Sequence, residues 1–208
     1  MTRLLRWCGI TALTFLAFMG AGFVPAAQAD AATHVVASTT ELVRAELARL
    51  PGDEQTEPHQ LQGLIERHVG PHIDFDRVAK WVVGKPWKST TAEQREAFVV
   101  ELRKMMFRTY SQALTGLEEA DIEYGEPKLS KSGKGAVVRS TVKRRSGGPL
   151  AMNYYLLKRD DTWRLYDISV AGVRMLSTYK ASFKARVRQA GIDGLIQHLV
   201  AVNTRNAN

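Results

Sequence analysis

His68 and His72 stand four residues apart, a spacing that on an unbroken helix puts two imidazoles on one face and can serve zinc. Gly70 and Pro71 fall between them. Proline lacks the N–H that a helix turn needs, and no third ligand adjoins, so the pair predicts no metal site. The other group with chemical potential is Asp167, next to Tyr166 and one strand away from Tyr154. A carboxylate beside a phenol donor is the equipment of proton-abstraction enzymes. Strand alternation sends Asp167 and Tyr166 to opposite faces, which argues against joint action. Asp167 is therefore expected to be structural, bonded to backbone or to an arginine. The chain carries no G-x-S-x-G, no G-x-x-x-x-G-K-[ST] and no G-x-G-x-x-G, so no serine-hydrolase elbow, P-loop or dinucleotide fingerprint is present.

The N-terminus reads as an address. Arg3 and Arg6 form a basic start, Ile10 to Val24 is apolar, and Ala27-Gln28-Ala29 has the small-x-small pattern of a cleavage site. The apolar run is shorter than the roughly 20 residues that span a bilayer. Residues 1–29 are thus predicted to be a signal peptide cleaved after Ala29, and residues 30–208 a single domain, exported and soluble. The single cysteine, Cys8, leaves with the signal, so neither disulfide, thiol catalysis nor thiolate metal site is available. The formal charge of +8 falls by two with Arg3 and Arg6. A basic surface suits anionic partners, and export argues against nucleic acid.

The order of elements is helices, strands, helices. This predicts an α+β domain, an antiparallel sheet of about four strands with helices packed on one face. Ser38 or Thr39 could cap a first helix through Glu41, Leu42, Ala45, Glu46 and Arg49, with Asp30 to Thr33 frayed before it. A second helix runs from Pro58 to Val69. Asp74 caps a third through Val78, Trp81 and Val82, closed by Gly84. Overlapping capping boxes, Thr90 with Glu93 and Thr91 with Gln94, open a long helix whose apolar positions run from Phe98 to Leu117. Strands follow at 122–125, 135–144, 150–156 and 162–170. Their inward rows are Val138, Ser140, Val142; Leu150, Met152, Tyr154, Leu156; and Tyr166, Ile168, Val170. Helix resumes near Val173, stops at Gly191 and restarts at Asp193, with Thr204 to Asn208 frayed.

Three stretches in order carry a resemblance. They are Phe75-Asp76-Arg77-Val78-Ala79-Lys80-Trp81-Val82-Val83-Gly84-Lys85-Pro86-Trp87, with Gln94-Arg95, Phe98 and Tyr110 beyond it; Trp163-Arg164-Leu165-Tyr166-Asp167-Ile168 with Gly172-Val173; and Gly191-Ile192-Asp193-Gly194-Leu195-Ile196. Over about residues 35 to 203 the chain resembles the MlaC, or toluene-tolerance auxiliary, family. The resemblance implies a cone of the nuclear-transport-factor-2 type and a monomeric periplasmic shuttle, without cofactor, whose cargo is a phospholipid. It implies two docking partners: an inner-membrane ABC transporter complex with a lipid-binding partner domain, and an outer-membrane lipoprotein–porin complex. No catalytic motif comes with it.

A carrier must replace the dry interior of the membrane. At roughly 0.8 kcal/mol per methylene, exposing one C16 chain costs on the order of 12 kcal/mol. Periodicity nominates the wall: Phe98, Leu102, Met105, Met106, Tyr110, Met152, Tyr154, Leu156, Ile168, Val170 and Leu176. Flexible methionines, Met175 among them, suit variable chains. Lys180, Lys184 and Arg188, at i, i+4 and i+8, are candidates for a docking surface, and the same run would equally make a solvated face. The alternatives are an isomerase- or dehydratase-like enzyme of the cone fold acting on a small apolar substrate, and a ligand-free transporter adaptor.

Overall fold

The computed structural model describes residues 24–145 and 148–205. The basic start and the apolar run up to residue 23 lie outside the described residues, as do residues 146–147 of the expected turn and residues 206–208.

Helix α1 spans Val24–Leu47. It starts well before Ser38 and Thr39, which lie in its interior, and Ala32 is fully buried. The expected frayed segment and cap are therefore corrected. Ala32 and Val36 pack against the sheet, and that apolar burial outweighs the weaker helix preference of Ser38 and the threonines. Helix α2 (Pro58–Leu64) runs into a π-helical turn, Ile65–Val69, and a short 3₁₀ turn at Gly70–His72. Helix α3 (Phe75–Val83) begins at Asp74, whose side chain accepts the Arg77 N–H, and ends at Gly84 with φ of 76°. Helix α4 (Ala92–Ser111) opens with one reciprocal capping box. The Gln94 N–H donates to Thr91 Oγ1 and the Thr91 N–H to Gln94 Oε1. Thr90 is used otherwise, donating to the Trp87 carbonyl.

The strands are β1 (Asp121–Tyr124), β2 (Lys128–Leu129), β3 (Gly135–Lys143), β4 (Leu150–Arg159), β5 (Thr162–Val170) and β6 (Val173–Arg174). They pair antiparallel in the order β1-β3-β4-β5-β6, with β2 also on β3. The inward rows meet as Ile122↔Val142, Tyr124↔Ser140, Val138↔Tyr154, Ser140↔Met152 and Val142↔Leu150. Between β4 and β5 the register holds at Met152↔Val170 and Tyr154↔Ile168, then slips at a bulge between Tyr155 and Leu156. Leu165 pairs with Leu156, so Tyr166 is the extra residue and leaves the row of Ile168 and Val170. Its ring lies beside Tyr155, 6.3 Å between centroids.

Helix α5 (Met175–Arg205) bends at Gly191, where φ is 69°. A side chain would strain that conformation, and the open space there leaves room for the bend. The largest core cluster joins α3, α4 and α5 through Val78, Val82, Phe98, Leu102, Met105, Leu176, Phe183, Leu195 and Leu199. A second core joins α1 to the sheet through Ala32, Val36, Ala136, Val138, Leu156 and Trp163. The helices thus pack on the sheet, α1 against β3, β4 and β5, and the α3–α4–α5 bundle against β5. No helix of the described residues is long and apolar enough to cross a membrane.

Candidate functional site: an apolar cavity between sheet and helices

The two packed clusters leave a gap between them. It is a cavity of about 290 Å³, close to the lower end of ligand pockets in proteins. The sheet supplies Ile122, Val142, Leu150, Met152, Tyr154, Leu156, Leu165, Ile168 and Val170. These are the inward row of each strand, brought together by antiparallel register. The last half of α4 contributes Met106, Phe107 and Tyr110, followed by Ala113, Leu114 and Leu117. Met175 and Leu176 at the start of α5 close one side.

Eight of the nominated residues therefore face this space: Met106, Tyr110, Met152, Tyr154, Leu156, Ile168, Val170 and Leu176. Phe98, Leu102 and Met105 do not. They pack between helices, at most 5% exposed, with Phe98 edge-on to Trp87 and Phe183. The physical reason is helix geometry. At 3.6 residues per turn, the line through 98, 102 and 105 lies roughly a quarter turn from the line through 106, 110, 113 and 117. One apolar surface wide enough for both lines serves two neighbours, and periodicity cannot assign the halves.

A third of the wall came from elements not nominated. Helix α1 brings Val35, Val36, Thr39, Thr40 and Val43, and the irregular segment after α2 brings Ile65, Val69, His72 and Ile73. Val35, Val36, Thr39 and Val43 do form a helical stripe in the sequence, which could have exposed them. Leu42, which the sequence places in the same helix, is 53% exposed instead.

The polar groups in the wall are few and mostly satisfied. The Tyr110 and Tyr179 hydroxyls lie 3.2 Å apart. Burial, and then that neighbouring hydroxyl, holds the Tyr110 phenol well above the usual phenol range, so it stays neutral. Burial also raises the Tyr154 phenol. His72 is pushed below its usual value by burial and by Arg164, which favours the neutral imidazole. Asp167 Oδ1 accepts the Ile168 and Leu176 N–H groups, and Oδ2 accepts Arg174 Nε. A carboxylate so occupied ties the start of α5 to β5. Tyr166 and Asp167 both reach the wall because the bulge cancels simple alternation, so the opposite-face argument is corrected. Thr39 Oγ1 is buried without a hydrogen-bond partner among the described residues.

Of all the lining residues, only Ala113 and Arg144 are exposed, so the mouth lies between the segment after α4 and the end of β3. Lys180, Lys184 and Arg188 are exposed on α5 and do not line the cavity. The Lys180 ammonium sits 3.9 Å above the Trp81 ring, a cation–π contact. Among the described residues no group of three His, Cys, Asp or Glu side chains is placed to hold a metal ion.

Comparison with known proteins gives a consistent set of likenesses. The family model described as MlaC protein matches residues 38–201. The intermembrane phospholipid transport system binding protein MlaC of Haemophilus influenzae is 26% identical over 143 residues, 67% of each chain. The toluene tolerance protein ttg2D of Pseudomonas putida is 22% identical over 160 residues, 76% of this chain and 74% of that one. A solved structure of a phospholipid-binding protein from Ralstonia solanacearum, in complex with a phospholipid, has a TM-score of 0.76 and 27% identity, covering 85% of this chain and 99% of that one.

Proposed function

The chain belongs to the MlaC family, and on that premise we propose that it is a periplasmic phospholipid carrier, taking lipid between inner-membrane and outer-membrane transport complexes. The observation that carries this reading is the open apolar cavity between sheet and helices. A protein interior normally closes to crystal-like density, so a gap of this size lined by adaptable side chains is kept for a ligand. The phospholipid bound to the Ralstonia protein of like fold supports the choice of cargo. Acyl methylenes fill the wall of Met106, Met152, Ile168 and Val170, each methylene contributing roughly 0.8 kcal/mol. The phosphate stays at the mouth, because burying it without partners is costly.

The protein holds and releases its cargo and does not transform it. Asp167, the one carboxylate in the wall among the described residues, has both oxygens engaged by structural donors. It needs no cofactor. Residues 1–29 act as a secretion signal cleaved after Ala29, and residues 30–208 work as one monomeric domain. The partners are an ABC transporter complex in the inner membrane, carrying a lipid-binding domain, and a lipoprotein–porin complex in the outer membrane. Lys180, Lys184 and Arg188 offer them a basic docking face. The test is organic extraction of the purified protein followed by lipid mass spectrometry. Phospholipid near one equivalent per chain is expected, and a protein that purifies and melts normally with no lipid overturns the reading.

A further inference from the structure

We propose that Arg144 is the phosphate-binding residue at the mouth of the cavity, the group that decides whether a two-chain lipid bearing a phosphate is held in preference to one without. This rests on the carrier reading and adds a specificity determinant to it.

The sequence Lys143-Arg144-Arg145 ends β3 with three cations in a row. Two of them are neutralised. Lys143 pairs with Glu123 and lies 3.8 Å from Asp121. Arg145 Nε lies 2.8 Å from Glu119. Arg144 has no carboxylate partner among the described residues. Alternation explains the difference. Val142 faces the cavity, Lys143 faces away and Arg144 faces the cavity again, two residues on. The guanidinium therefore stands at the rim of an apolar hole rather than on the charged outer face.

Among the described residues it is also the only arginine or lysine in the wall, and with Ala113 it marks the exposed opening. One Nη2 makes a long contact of 3.4 Å to the Ala113 carbonyl. That contact leaves most of its five N–H groups free and aims the side chain across the mouth. A guanidinium presents two parallel donors that match two oxygens of a phosphodiester, and such charge-assisted pairs are the stronger hydrogen bonds. A lipid whose chains enter past Leu150, Val142 and Leu117 leaves its phosphate at this rim.

Delipidated protein is offered dioleoyl phosphatidylglycerol or dioleoylglycerol, which share their chains and differ in the phosphoglycerol headgroup. Arg144→Gln is expected to weaken phosphatidylglycerol binding by on the order of tenfold to a hundredfold, the range for a lost hydrogen bond to a charged group. Dioleoylglycerol binding stays unchanged, Arg144→Lys recovers part of the loss, and Arg145→Gln, whose arginine is already paired, changes neither. Glycerol phosphate at millimolar concentration is expected not to compete, since it lacks chains. Equal loss of both lipids, or no loss of either, overturns the assignment. Competition by glycerol phosphate alone makes Arg144 a free-anion site and overturns it too. A wild type that binds neither lipid overturns the carrier reading itself, and this proposal with it.

Discussion

Asp167 and Arg174 stand 2.6 Å apart, Oδ2 to Nε, with the carboxylate wholly buried and the guanidinium stacked on Tyr155 at 4.1 Å from the ring centroid. The same carboxylate takes the N–H of Leu176, whose side chain lines the cavity. One ion pair thus fixes the entry of α5 against β5 and, with it, one side of the cavity. In Asp167→Asn the amide keeps part of this geometry but leaves Arg174 without its counter-charge. Arg174 is about a third exposed, so the loss is expected at about 1–3 kcal/mol, the cost of an unsatisfied buried partner. Urea denaturation measures it. A change within error shows that the pair contributes nothing net.

Filling space separates cavity from core. Val170→Trp places a larger side chain into the gap and is expected to abolish co-purified lipid while leaving the melting transition nearly unchanged. Met105→Trp puts the same bulk into the closed cluster between α3, α4 and α5, where overpacking costs about 1–3 kcal/mol or more. Val170→Trp should lower lipid content at a nearly constant melting temperature, and Met105→Trp should lower the melting temperature while lipid content holds. Two variants that melt equally early would mean the gap is not a usable space.

Thr91→Ala removes the side chain that accepts the Gln94 N–H at the start of α4. A lost cap of this kind costs about 1 kcal/mol. Gln94 also donates to Asp193, 2.9 Å away in the second half of α5, so loosening the cap frees that link as well. The expected result is a lower denaturation midpoint with unchanged lipid content, because the cavity begins beyond this end of α4.

His72 supplies a pH dependence. Its folded pKa lies below the ordinary 6.5 because burial and Arg164 both oppose its charge. The unfolded chain therefore takes up the proton first. Stability is fully present above about pH 6.5 and falls as pH drops from there towards the lower folded pKa. Carboxylates add their own slope at lower pH, so the comparison is with His72→Asn. Denaturation between pH 7.5 and about 5 should show a shallower decline for the variant, and identical slopes would assign the effect elsewhere.

Much of the fold was readable because period and punctuation agree locally. Val138, Ser140 and Val142 alternate as a half-buried strand does, and they face inward as expected. Asp74, Gly84 and the Thr91–Gln94 pair mark helix ends through short-range hydrogen bonds that need only a few neighbouring residues. Less of the site was readable. Tyr166 and Asp167 depend on a bulge set by how β4 lies against β5, which no local pattern announces. The start of α1 depends on Ala32 and Val36 finding the sheet more than a hundred residues later in the chain.

Taken alone, the sequence determined which positions are apolar, which helix ends carry their own caps, such as Asp74 and the Thr91–Gln94 pair, and that no familiar catalytic constellation is present. It could do so because these are properties of single residues and of their near neighbours. Tertiary structure decided which apolar positions touch one another and which face a void. Phe98, Leu102 and Met105 read no differently from Met106 and Tyr110 along the chain, yet the first three are sealed between helices and the other two look into open space. An empty volume belongs to no residue. It exists only once α1, α4, α5 and the sheet have been held apart by the contacts around it.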